Sequence, residues 1–119
     1  MKKSFIAVLL VSCSFSSFAE DSIFSYMQAK EDIKSYTLVA FPDRDPVMNA
    51  YSSLNMIDGQ IGAQLANNQD CRYTKETVVS NFSELSRKDS SNKVIDNLHN
   101  KMIKSVSDYV TAKCKELTE

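Results

Sequence analysis

Cys71 and Cys114 constrain this chain more than any other residues, because the N-terminus that precedes them has the form of an export signal. In MKKSFIAVLLVSCSFSSFAED, Lys2 and Lys3 supply the charged start and Phe5 to Val11 the apolar run. Ser17-Phe18-Ala19 then places small residues at the two positions that signal peptidase reads. Cleavage after Ala19 is expected, giving a signal peptide over 1–19 and one mature domain over 20–119. It also removes the third cysteine, Cys13. An exported protein meets an oxidising compartment, where an even pair of cysteines is expected to bridge. A closed loop of this length contributes about 4 kcal/mol in the chain-entropy account, a large share of the stability of so small a domain. Leu10-Val11-Ser12-Cys13 offers a second processing pattern, in which Cys13 would be acylated; the site at Ala19 is the preferred one. No stretch is long and apolar enough for a permanent membrane span.

Removing Lys2 and Lys3 from the 14 basic residues leaves 12 against 15 acidic ones, a formal charge of −3. This mildly acidic surface has no basic block and gives nucleic-acid binding no electrostatic footing. Only two glycines and two prolines are present, too few for a turn-rich β-sandwich. Helical periodicity dominates instead.

The first helix is expected from Asp21 or Ser22, with Ile23, Phe24, Met27 and Ile33 toward the core. Tyr36 to Phe41 carries β-leaning residues that could run extended, and Pro42-Asp43-Arg44-Asp45-Pro46 breaks the chain. Asp45 as cap and Pro46 at the first helical position mark the second start. Val47, Ala50, Tyr51, Leu54, Ile57, Ile61 and Leu65 follow at helical spacing. Gly59 and Gly62 interrupt this stripe, which suggests a close neighbour or a bend. Asn67 to Asp70 is a polar turn. Thr74 can cap a third helix carrying Val78, Val79, Phe82 and Leu85, and Ser90 or Ser91 a fourth carrying Val94, Ile95, Leu98, Met102, Val106, Tyr109, Val110 and Cys114. Two consecutive antiparallel helices bring Cys71 and Cys114 together. The expected fold is all-α, a compact bundle of about four helices closed by one disulfide.

Residues that could carry chemistry are sparse. His99 is the only histidine and falls mid-helix beside Leu98, as a surface or half-buried structural residue would. No CxxC or HxxxH spacing supports a metal, no cofactor motif is present, and no G-x-S-x-G elbow surrounds any serine. Glu31-Asp32, Asp43/Asp45 and Asp70/Glu76 sit where caps and solvated loops put acids. A non-enzyme is expected. Function then lies on the surface, in two loops: Phe41 to Asp45, with Arg44 as an anchor, and Asn67 to Tyr73. Asp43, Arg44, Asp45, Asn68 and Asp70 are the candidate partner-binding residues.

From Tyr51 to Cys114 the chain resembles the Rap/Tai-type periplasmic immunity proteins of type VI secretion. The resemblance is carried by Tyr51, Gly59, Cys71, Thr74 with Val78-Val79, and Tyr109-Val110 running to Cys114. It departs from them in lacking cysteines between Glu20 and Asp70. The resemblance implies a periplasmic, non-catalytic inhibitor whose partner is a secreted toxin or hydrolase, an amidase-like enzyme that degrades the cell wall. A helical pilotin lipoprotein and an acid-stress periplasmic chaperone are the alternatives, and a homodimer is compatible with either.

Overall fold

The computed structural model describes residues 22–86 and 91–119. The signal segment, Cys13 and Ser90 lie outside the described residues. Four helices and no strand make up what is described: α1 over 22–40, α2 over Pro46–Ala66, α3 over Cys71–Leu85 and α4 over Lys93–Thr118. None of them is long and apolar enough to cross a membrane.

Local chemistry sets the element ends. The Asp45 carboxylate accepts from the backbone N–H groups of Val47 and Met48, with Pro46 in the first helical position, as the sequence predicts. At the far end of α2, Asn68 takes a positive φ of 64°, and Gln69 N–H reaches back to the Gln64 carbonyl. Asn is one of the few non-glycine residues that tolerate this left-handed turn. Two caps differ from expectation. Asp70, not Thr74, caps α3 through Tyr73 N–H, so the helix starts at Cys71 and Thr74 is buried one turn in. Asn92 caps α4 through Val94 and Ile95 N–H, rather than either serine before it.

The helices run alternately up and down. Asp32 meets Ser105, Tyr26 meets Tyr109 and Tyr36 meets His99, so rising numbers in α1 face falling numbers in α4. Asn49 donates to Thr37 at 2.8 Å and Lys30 to Tyr51 at 3.2 Å, tying α1 to α2. α3 packs more on α4 than on α2. The core is Ala29, Ile33, Tyr36 and Ala40 from α1, Ala50, Leu54, Ile57 and Ile61 from α2, Val78 and Phe82 from α3, and Met102, Val106, Tyr109 and Val110 from α4. Cys71 and Cys114 are bonded with Cα atoms 5.7 Å apart, joining the start of α3 to the last turns of α4.

α1 departs furthest from the sequence reading. It stays helical through Ala40, because Tyr36, Thr37 and Ala40 all bury against the bundle and this packing outweighs β-leaning propensity. Ile33 is core, but Ile23, Phe24 and Met27 face outward at 59–68% exposure. The buried face joins Ile33 and Tyr36 to small and polar residues: Ser22, Ala29, Asp32, Thr37 and Ala40. Val47 and Tyr51 on α2, Leu85 on α3 and Val94 on α4 are likewise exposed. Gly59 and Gly62 have no neighbour within 4 Å of where a Cβ would stand, so no close approach accounts for them.

Candidate functional site

The turn between α1 and α2 is built by its proline. Phe41 N–H still reaches the Thr37 carbonyl, ending α1, and Arg44 N–H returns to the Phe41 carbonyl at 3.0 Å. Pro42 sits at the second position of this four-residue turn, where its fixed φ is favoured. The turn brings its first and fourth side chains to one side, and the Arg44 guanidinium lies 4.1 Å from the Phe41 ring centre. Phe41 in turn meets the edge of buried Tyr36, at 6.0 Å between ring centres. Arg44 is therefore held by a stack rooted in the core. It forms no ion pair with any described carboxylate, although Asp43 and Asp45 flank it in sequence.

Beneath that stack a cleft of about 320 Å³ opens among all four helices. Ile33, Tyr36, Phe82 and Met102 form its buried apolar floor, while Asn49, Ser52 and Ser53 of α2 line its polar side beside Arg44. Ser86, the C-cap of α3, closes the far end.

Ser86 also reveals a pairing that the sequence hides. Its Oγ lies 2.8 Å from His99 Nε2 and 3.1 Å from the Ser83 carbonyl oxygen. His99 is only 4% exposed, not the surface or half-buried residue expected. A carbonyl has no hydrogen to give, so both bonds are kept only if the Ser86 hydroxyl donates to Ser83 and His99 Nε2–H donates to Ser86. An activated nucleophile needs the reverse, with its proton directed at the imidazole. The carbonyl end of α3 would moreover repel a developing oxyanion there. The pair works as a clasp between α3 and α4.

A second expectation changes at Asp32. It is no solvated acid but 5% exposed in the middle of α1. Its carboxylate accepts from Ser105 Oγ and from Gln28 Nε2, and it pairs with Lys101 Nζ at 3.7 Å. These donors offset the cost of burying the charge. The neighbouring Glu31 is exposed and bridges Lys34 along its own helix.

The five candidate contact residues do not form one site. Asp43, Arg44 and Asp45 lie at the start of α2, and Asn68 and Asp70 lie beyond its end, about 30 Å away for a helix of 21 residues. Asp45 and Asp70 spend their carboxylates on caps, and Asn68 is the left-handed turn residue. Arg44 and Asp43 keep their charges free of such work. The signal for the cleft was partly present as Phe41-Pro42-Asp43-Arg44, a turn that must face its ends together. Asn49, Ser52 and Ser53 carried none, since polar residues on a helix read as solvated surface.

Comparison with protein-family models, with curated proteins and with solved structures finds no match for the chain.

Proposed function

We propose that the protein is an exported, non-catalytic inhibitor that acts in the periplasm on a secreted, cell-wall-degrading, amidase-like toxin, and that the α1–α2 corner is its contact surface. The observation supporting this reading is the company Arg44 keeps. Arg44 is exposed and forms no ion pair with a described carboxylate, and Leu38 at 64% and Met48 at 66% exposure, with Val39 and Val47, are exposed on the helix ends that meet at its turn. Large apolar side chains around an arginine are the usual makings of a protein-binding hot spot. The loop at the other end of α2 has less to offer, because its polar groups are committed to capping. The resemblance to Rap/Tai-type immunity proteins supplies the class of partner. A rigid, disulfide-closed body would keep the ordering cost of binding low.

The test is co-purification of the exported protein with secreted cell-wall hydrolases, followed by assay of the recovered enzyme. The expected result is a stoichiometric complex in which the hydrolase is inactive. Arg44→Glu and Met48→Asp should each weaken it by about 2 kcal/mol, roughly 30-fold, with the thermal midpoint unchanged. Full inhibition by both variants would remove the corner from the interface.

A second reading, a periplasmic chaperone, is favoured by one observation: Ile23, Phe24 and Met27 form another exposed apolar surface at the start of α1. Recovery of many unfolded clients in place of one hydrolase would select it.

A further inference from the structure

We infer that the cleft under Arg44 is a binding site for a small monocarboxylate with an apolar tail, a medium-chain acid of about octanoate size. Three features of the cleft converge on this class. Its floor is apolar and belongs to the rigid core, through Ile33, Tyr36, Phe82 and Met102. Its single described charge is Arg44, which excludes cations. The Arg44 guanidinium lies 4.1 Å from the Phe41 ring centre, and a guanidinium held over a ring keeps N–H groups to grip a carboxylate. Asn49, Ser52 and Ser53 add hydrogen-bonding groups on the same side. Asn49 uses one amide hydrogen on Thr37, which fixes its orientation and leaves its second donor to the cleft.

Size narrows the class further. A volume of about 320 Å³ lies at the lower end of the range for ligand clefts. It equals about ten waters at roughly 30 Å³ each, and so suits an acid of about ten non-hydrogen atoms. A tail of that length reaches the floor while the headgroup stays at the rim with Arg44. This site shares Arg44 with the corner proposed above as a protein contact, but its apolar floor and polar side are its own; it needs no partner protein, and octanoate binding is read independently of hydrolase inhibition.

The probe is octanoate, titrated into the purified exported protein with its disulfide intact and followed calorimetrically and by amide chemical shifts. Octanol and octanamide serve as uncharged controls. Saturable one-to-one binding is expected at or below about 1 mM, within reach of a ligand this small, with shifts at Tyr36, Asn49, Ser53 and Phe82. Arg44→Gln should weaken octanoate about tenfold or more, the worth of one charge-assisted hydrogen bond, while leaving octanol unchanged. Ser53→Leu, which narrows the cleft without touching the charge, should weaken all three ligands. Equal affinity for octanoate and octanol in the unmodified protein would overturn the assignment, as would shifts confined to Ile23, Phe24 and Met27. The absence of saturation at about ten times the expected concentration would do the same.

Discussion

Tyr109 reaches from α4 to the Asp58 carboxylate at 2.5 Å, and its ring meets the edge of Tyr26 at 5.4 Å between centres. One side chain thus ties α4 to both α2 and α1. Burial is the main cause that raises the Tyr109 hydroxyl pKa above its ordinary value, and the bond to Asp58 adds to it. The neutral phenol is favoured in the folded state, whereas an unfolded tyrosine ionises near pH 10. Its contribution is complete below about pH 10 and is lost as the pH climbs toward the raised native value, where the unfolded chain releases a proton that the folded one retains. Tyr109→Phe should cost about 1.5 kcal/mol at neutral pH and flatten the alkaline loss, as urea melts between pH 8 and 11 would show. An unaltered alkaline slope would assign the loss to other groups. Residues of this kind were the least legible in the sequence. Asp32 looked like half of a solvated acidic pair, and His99 like a surface or half-buried structural residue. Their partners, Lys101 with Ser105 and Ser86, lie far along the chain and only the packed bundle brings them near.

Among the elements, α2 was legible in its start, set by Asp45 and Pro46, and in its buried line of Ala50, Leu54, Ile57 and Ile61, though Val47 and Tyr51 of the expected stripe are exposed. α1 was not. Periodicity weights large apolar residues, and those at its beginning face outward while alanines and polar groups pack beside Ile33 and Tyr36. Nothing local distinguishes a phenylalanine meant for the core from one left for another contact. α2 also carries an unforced weakness. Gly59 and Gly62 have negative φ and open space around the missing Cβ, so neither turn geometry nor packing requires a glycine. Gly59→Ala and Gly62→Ala should each stabilise the protein by about 0.5–1 kcal/mol, and by nearly the sum when combined. Chemical denaturation would measure this, and a loss in either variant would reveal a contact outside the described residues.

For the molecule as a whole, the bond between Cys71 and Cys114 was the most legible feature, because an even cysteine pair and two antiparallel helices give one answer. Its reduction, or Cys71→Ser with Cys114→Ser, should remove about 4 kcal/mol, seen as a lower denaturation midpoint with helicity largely kept at low temperature. A change below about 1 kcal/mol would mean that the unfolded chain gains little freedom when the link is cut. The position of the link also sets an order in time. A chain emerging N-terminus first presents Cys71 before Cys114, and their separation of 43 positions takes about 2–9 s to synthesise at roughly 5–20 residues per second. Throughout that interval α1 and α2 can already pair through Thr37 with Asn49 and Lys30 with Tyr51. Cys71 meanwhile remains a thiol at the head of α3. The bond can therefore close only once the residues of all four helices are out, after α1 and α2 have had the chance to meet.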